Sequence, residues 1–313
     1  MSEKQNVLVI IGPTGVGKTS LSLDAAERYN GEIISGDSMQ IYRGMDIGTA
    51  KIRKEEMRGI PHHLIDIRDP DESFSAADFK ELARGAVEDI ASRGKLPIIA
   101  GGTGLYIQSL LYDYSFSEQP SDPEYRQELE KAAEEKGAEY VHGLLQAADP
   151  ESAERIHPNN ERRVIRALEI YRSSGKTMTE QLAAQKREEH FQSAIIGLTM
   201  DRETLYYRIN RRVEAMMEQG LEEEVSRLYG SGLRNTQSVQ AIGYKELYEF
   251  LEGRVSLDEA CENLKQNSRR YAKRQLTWFR NKMDVQWFDL TPPADYEKKL
   301  DEIFTYIAGK LHL

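Results

Sequence analysis

The stretch Val7–Ser20, VLVIIGPTGVGKTS, decides the fold. Val7–Ile11 is a short apolar run with the pattern of a buried strand, and the apolar-periodic Thr19–Tyr29 beyond it reads as a helix. Between them, Gly12, Gly15 and Gly17, interleaved with Pro13, Thr14 and Val16, let a loop turn its N–H groups toward phosphate oxygens. Lys18 adds a point charge, the Thr19 hydroxyl suits Mg²⁺, and the helix N-terminus contributes the positive end of its dipole. Strand, glycine loop and helix in that order are the context a P-loop needs, so Gly12–Thr19 is assigned to phosphate binding.

Three more runs, Glu32–Ser35, Pro97–Ala100 and Ala194–Thr199, are short and apolar or β-branched, each followed by a turn and helix-period sequence. That alternation predicts an α/β fold, a P-loop-type parallel sheet flanked by helices. Residues 115–190 differ in character: rich in Asp, Glu, Lys and Arg, helical in period, broken at Asp149-Pro150 and His157-Pro158, and without a strand candidate. They read as an all-helical insertion into a core made of residues 1–114 and 191–313. Helical runs are expected again over Asp201–Tyr229 and Ser238–Lys282.

The 313 residues allow a large core plus an accessory one. A mean hydropathy of −0.62 and the lack of any apolar run near ~18 residues argue against a membrane span. The opening MSEKQN does not read as a signal peptide, and a soluble, cytoplasmic protein is expected. Cys261, the single cysteine, excludes an internal disulfide and a cysteine-based metal site, which leaves a metal carried with phosphate as the one to expect. With 42 Lys and Arg against 52 Asp and Glu, the net charge of −10 opposes nonspecific binding of polyanions. The distribution says more than the sum. Between Asn263 and Met283 stand Lys265, Arg269, Arg270, Lys273, Arg274, Arg280 and Lys282 without one Asp or Glu, interleaved with Tyr271, Trp278 and Phe279. Such a stripe can pair with phosphates and stack on bases, where a solvated helix face normally mixes both signs.

Asp37 follows the strand Glu32–Ser35, at the carboxyl end where open α/β sheets hold their ligands. A carboxylate there suits deprotonation of an acceptor nucleophile, and the spacing equally allows it to hold Mg²⁺ through water or to cap the next turn. The strand Leu96–Ala100 runs straight into GGTGLY with no acid after it, unlike the usual strand of an ATP-hydrolysing P-loop protein. In that turn Gly101, Gly102 and Gly104 either admit a ligand's close approach or are structural, and Thr103 is the side chain able to hydrogen-bond. In DRETLYYRINRRVEAMM, Leu205, Ile209, Val213 and Met216 form one helical face, and Arg208 and Arg212 border it in the posture of a diphosphate clamp. Pairing with Glu214 or Glu218 is the competing reading for Arg212. ERRVIRALEIYRSSGKT places Arg162 and Arg166 on one helical face, after the cap Asn160 and before the stop Gly175, as a rail for a phosphate backbone. The neighbours His62 and His63 would point to opposite faces of an extended segment, a poor metal pair, and Asp66–Glu72 reads as a loop and helix cap.

The segments GPTGVGKT, GDSMQIYRGMDIGTAK, PHHLID, GGTGLY, HPNNERRVIRALEI, AIGYKEL and RRYAKRQLTWFR stand in that order from Gly12 to Arg280. In this the chain resembles the bacterial tRNA dimethylallyltransferases, the tRNA isopentenyltransferase family. The resemblance implies transfer of a dimethylallyl group from dimethylallyl diphosphate to the exocyclic amine of the adenine 3′ of the anticodon, with release of diphosphate and Mg²⁺ as cofactor. The partner it implies is the tRNA anticodon stem-loop, with no obligate protein partner. By resemblance Asp37 is the general base and Thr103 helps hold the target adenine, while Lys18, Arg202 and Arg208 serve the diphosphate. Ser38, Met39 and Gln40 match the strip beside that nucleotide. Glu161, Arg162, Arg163, Val164, Ile165 and Arg166, with Arg270, Lys273, Arg274 and Trp278, match the surfaces that grip the tRNA. The alternative is a small-molecule P-loop kinase using ATP, with Asp37 activating a hydroxyl and Arg202 and Arg208 as lid arginines.

Overall fold

The structure, a computed structural model, describes residues 4–112, 122–184, 189–293 and 295–313. At its centre lies β1 (Asn6–Ile11), with Val7, Val9 and Ile11 in one core cluster and Leu8 and Ile10 in another. Both faces of the strand are buried, so its sequence is continuously apolar rather than alternating. The glycine loop leads into α1 (Lys18–Arg28), then β2 (Gly31–Ser35), β3 (His62–His63), α2 (Ala76–Ser92), β4 (Leu96–Gly101) and α3 (Gly104–Leu111). Five helices follow: α4 (Pro123–Lys136), α5 (Ala138–Ala148), α6 (Pro150–Arg155), α7 (Glu161–Ser174) and α8 (Met178–Ala184). The chain returns through β5 (Gln192–Thr199), α9 (Arg202–Glu218), α10 (Leu221–Gly230), α11 (Tyr244–Leu251), α12 (Leu257–Lys282), β6 (Gln286–Asp289) and α13 (Tyr296–Leu311).

The sheet is parallel throughout, in the order β3-β2-β4-β1-β5-β6. Leu21 and Leu23 of α1 and Ile303 and Ile307 of α13 pack with Leu8, Ile10, Ile98 and Ile196 on one face. Phe79, Val87 and Ile90 of α2, with Ile107 and Leu110 of α3, pack with Val9, Ile34 and Ile99 on the other. The chain passes from β1 to β2 over the place later filled by β4, and β5 then pairs on the opposite side of β1. This reversal makes the carboxyl ends of β1, β4 and β5 the switch-point crevice.

Two strands and several breaks depart from the sequence reading. β3 and β6 extend the four expected strands to six. The run 201–229 is two helices, divided at Gly220 with φ 96. The run 238–282 begins as a turn and forms α11 and α12, separated near Gly253 at φ 74. The second helix starts at a capping box between Ser256 and Glu259.

The described residues divide into two compact units, one formed by the chain up to Tyr112 and from Glu189 onward, the other by the segment between. The expected boundary at 114/115 lies outside the described residues. In the second unit every described element is a helix, and Leu129, Val141, Leu145, Ile156, Val164, Ile165 and Leu168 form its core. Its buried Glu169 accepts two hydrogen bonds from Arg126, at 2.9 and 2.7 Å, and one from Arg166 at 3.4 Å. On α7 the side chains of Val164 and Ile165 are buried in this core, whereas Glu161, Arg162 and Arg163 are exposed.

Candidate active site

The glycine loop leaves the end of β1 against β5. A Cβ on Gly12 would lie 2.7 Å from the Leu198 carbonyl oxygen, so only glycine fits there. Lys18 Nζ donates to the carbonyls of Gly12 and Pro13 at 2.9 and 2.8 Å, which folds the ammonium back over the loop. Burial and the neighbouring Arg212 push this amine down to about 7, against an opposing pull from Asp37. A phosphate beside it acts in the same direction as Asp37 and favours the charged form.

The loop opens into a cavity of about 400 Å³. Lys18, Thr19, Asp37, Ser38, Arg212 and Tyr271 supply its polar side, and Ile52, Ile209, Val213, Met216, Ile242 and Leu264 its apolar one. Asp37 Oδ1 accepts the Met39 N–H at 2.8 Å and so caps the next turn, while Oδ2 has no partner among the described residues. Capping and base chemistry are thus compatible in one carboxylate. Thr103 Oγ1 accepts the Ser38 N–H at 3.1 Å and donates to Ser38 Oγ at 3.3 Å, which ties the turn after β4 to the turn after β2. Gln40 is occupied with the scaffold, accepting from Ser35 at 3.0 Å and donating to the Thr49 and Ala50 carbonyls at 3.3 and 3.4 Å. Met39 also lines the cavity.

The arginines sort unexpectedly. Arg212 lines the cavity with Lys18 and Asp37, and burial lowers its pKa while Asp37 raises it. Its intrahelical alternative is not realised, because Glu214 pairs with Arg211 at 2.7 Å and Lys265 at 3.3 Å. Arg208 is exposed and lines a separate hollow with Val16, Gly17, Ser20 and Leu290. Arg202 lies over the Tyr206 ring at 5.1 Å and lines neither space.

α12 closes the cavity from outside the local motifs. Tyr271 lines it beside Thr103 and Gln275, with its hydroxyl pushed up to about 12 by burial and by the charge of Asp37. Gln275 bridges two loops, accepting the Thr14 N–H at 2.9 Å and donating to the Gly102 carbonyl at 3.0 Å. A Cβ on Gly104 would sit 2.2 Å from the Trp278 ring. The space at Gly102 is taken by Gln275 and that at Gly104 by Trp278, which is half-buried, whereas Gly101 packs against the Gly36 backbone and lines the cavity. Arg270, Lys273 and Arg274 are exposed, and Arg274 reaches the cavity lining, whereas Lys265 is paired and Arg269 donates to Asn210 at 2.6 Å. His62 lines the cavity and His63 Nε2 binds Glu32 at 2.8 Å, so the pair divides between two environments.

Sequence reasoning also missed the support for the segment after Gln40. Glu224, buried in α10, accepts the backbone N–H groups of Asp46, Ile47 and Gly48 at 2.9, 2.9 and 3.0 Å and the Tyr244 hydroxyl at 2.6 Å. This holds Gly48, Thr49 and Ala50 in the cavity wall. No group of three or more His, Cys, Asp or Glu among the described residues is placed to hold a metal ion. Thr19 lines the cavity and its hydroxyl has no hydrogen-bond partner among the described residues, which fits an ion that arrives on phosphate oxygens.

A phosphate loop at the switch point of a parallel sheet, opposed by a carboxylate across a half-apolar cavity, defines a P-loop protein that handles a phosphate ester of an apolar group. Residues 40–282 match the family model described as IPP transferase. The chain is 66% identical over 310 residues to a tRNA dimethylallyltransferase of Bacillus licheniformis and 64% identical over 310 residues to one of Bacillus subtilis, covering 99% of each chain in both cases. Among solved structures it is similar to the tRNA isopentenylpyrophosphate transferase of Bacillus halodurans, with a TM-score of 0.76 and 53% identity over 99% of this chain and 97% of that one. A eukaryotic dimethylallyltransferase acting on tRNA matches with a TM-score of 0.82 and 33% identity, over 95% of this chain and 77% of that one. The chain belongs to the IPP transferase family, the tRNA dimethylallyltransferases.

Proposed function

We propose that this chain transfers the dimethylallyl group of dimethylallyl diphosphate to the exocyclic amine of the adenine 3′ of the anticodon in tRNA, releasing diphosphate. The observation that carries the reading is the shared cavity, in which the P-loop cations, Asp37 and an apolar wall line one space. The amides after Thr14, with Lys18 and Arg212, take the diphosphate, and Ile209, Val213 and Met216 face the hydrocarbon. Negative charge grows on the departing diphosphate as the carbon–oxygen bond breaks, and these fixed donors bind it more tightly as it grows. The adenine amine is a weak nucleophile whose lone pair is shared with the ring. As its nitrogen bonds to carbon, Asp37 Oδ2 accepts the proton it must lose. Thr103 and Ser38 set the carboxylate-bearing turn, and the apolar wall keeps water from capturing the allyl group.

The base must leave its stack to reach this space, so the RNA around it has to be held as well. Arg270, Lys273 and Arg274 of α12 serve one contact, and Arg162, Arg163 and Arg166 of α7 another. Thr19 is the protein ligand for Mg²⁺, which supplies charge neutralisation on the diphosphate. No helix among the described residues is long and apolar enough to cross a membrane, and a tRNA substrate places the reaction in the cytoplasm.

The test is incubation with unmodified tRNA and labelled dimethylallyl diphosphate, followed by nucleoside analysis. Label on that adenosine, abolished by EDTA, is the expected result. No label in tRNA, with phosphate passing instead from ATP to a small hydroxyl acceptor, refutes the reading.

A further inference from the structure

We infer that Glu224 is a positioning residue for the transfer step, acting on Asp37 through the cavity wall and Gln40. The inference rests on the proposed function in one respect, that Asp37 is the base. Glu224 is buried in α10, and all four of its partners are donors. Its Oε2 accepts the Asp46 and Ile47 N–H groups, and its Oε1 accepts the Gly48 N–H and the Tyr244 hydroxyl. Two donors fill each oxygen, an arrangement that only a group without a hydrogen of its own to donate can satisfy. The Tyr244 ring presses on the same backbone, since a Cβ on Gly48 would lie 2.6 Å from it. Lys51 Nζ also holds this segment, donating to Asp46 Oδ1 at 2.6 Å and to the Tyr42 carbonyl at 2.7 Å.

The next residues carry that constraint to the base. Ala50 is left-handed, with φ 45, a conformation that a residue with a Cβ keeps only where its surroundings impose it, and its N–H donates to the Ile47 carbonyl at 2.9 Å. The Thr49 and Ala50 carbonyls accept from Gln40 Nε2 at 3.3 and 3.4 Å, and Gln40 Oε1 accepts the Ser35 hydroxyl at 3.0 Å. Gln40 therefore ties the end of β2 to the wall across the turn at residues 37–39, where Asp37 Oδ1 holds the Met39 N–H. The glycine loop is braced by other bonds, from the Thr14 N–H to Gln275 and from Lys18 to the Gly12 and Pro13 carbonyls. Loss of the Glu224 acceptors displaces the base and leaves the diphosphate site in place. A displacement of about 1 Å is enough to slow a chemical step by about a hundredfold.

The experiment uses the full chain as wild type, Glu224→Gln and Tyr244→Phe. Glutamine keeps the size but turns an NH₂ group toward two donors, whereas phenylalanine keeps the ring on Gly48 and removes one donor of the four. Pyrophosphate affinity is measured by calorimetry, transfer to tRNA in a single turnover, and amide hydrogen exchange over residues 38–42 and 46–48. In Glu224→Gln, transfer is expected to slow by about 10–100-fold with pyrophosphate affinity within about twofold of wild type, and exchange to accelerate in both segments. Tyr244→Phe shows the same pattern with transfer slower by about threefold, and it carries the test if Glu224→Gln does not fold. Exchange that accelerates at 46–48 alone, or pyrophosphate affinity that falls in step with transfer, overturns the inference and leaves Glu224 as a packing residue. Absence of transfer in wild type refutes the proposed function instead, while exchange and pyrophosphate affinity still report whether Glu224 governs the turn.

Discussion

Replacing Arg212 with alanine should separate catalysis from stability. Its guanidinium lines the cavity with Lys18 and Asp37, is pulled below its ordinary pKa by burial, and has no carboxylate within ion-pair distance among the described residues. An interaction between this cation and a departing diphosphate contributes about 1.5–3 kcal/mol, so Arg212→Ala is expected to lower kcat/KM for dimethylallyl diphosphate by about 10–150-fold. Arg208 is exposed and lines the hollow behind the loop, where a screened surface charge contributes about 1 kcal/mol at most and its alanine variant loses less than about fivefold. The folded state should respond in the opposite sense. Arg212→Ala removes a cation buried without a partner carboxylate, so Tm should hold or rise. The assay is initial-rate transfer of labelled dimethylallyl at saturating tRNA, with thermal melting of both variants. A larger activity loss in Arg208→Ala, or an unfolded Arg212→Ala, would refute the reasoning.

Three further outcomes follow from the same structure. Lys18 titrates near 7 in the folded chain against 10.5 ordinarily, so between these values the unfolded chain holds a proton the native one lacks, and stability rises with pH through that window. Pyrophosphate favours the charged amine, so calorimetry in buffers of different ionisation enthalpy should show proton uptake on binding above pH 7; its absence would contradict the Lys18 assignment. Glu32 is held well below the usual carboxylate range chiefly by Arg93, with Lys95 and His63 adding hydrogen bonds. Its stabilisation is complete above the ordinary value of 4.5 and is lost as pH falls toward the folded value. In urea unfolding Glu32→Gln should cost about 3 kcal/mol at neutral pH, with the gap narrowing below 4.5. Gly104→Ala drives a Cβ to 2.2 Å from the Trp278 ring, and should cost about 1–3 kcal/mol and shift the tryptophan fluorescence if that packing is as tight as described.

Local features were legible in the sequence where physics is local. β1, β2, β4 and β5 announce themselves because strands buried on both faces must be continuously apolar, and the glycine loop carries its own backbone requirements. β6 did not, since the edge strand Gln286–Asp289 buries chiefly Phe288 and adjoins a charged helix. β3 is two histidines long. The break before α12 did have a signal, Ser256 three residues before Glu259, which outweighs the apolar period running through it. At the site, Asp37 and Thr103 follow from strand-end placement. The cavity roles of Gln275 and Tyr271 and the loop support by Glu224 do not, because Thr14, Gly102 and Thr103, and Asp46, Ile47 and Gly48, lie 160 or more residues from them and no local pattern encodes such a pairing. For Arg212 the sequence leaves clamp and helix pair open, and Glu214 is taken by Arg211 and by Lys265, the latter 51 residues distant. Of the glycines after β4, whose spacing leaves a ligand and a structural role both open, Gly102 and Gly104 face Gln275 and Trp278, partners no local pattern names.

The most direct measurement is single-turnover transfer to tRNA by Asp37→Asn, with pyrophosphate and tRNA binding measured on the same preparation. Asparagine can still cap the Met39 N–H but cannot take a proton, so the turn is preserved while the base is lost. The account predicts a chemical step slower by about 10²–10⁴-fold with both binding constants unchanged. Transfer within about threefold of wild type would contradict it and remove the base from this cavity.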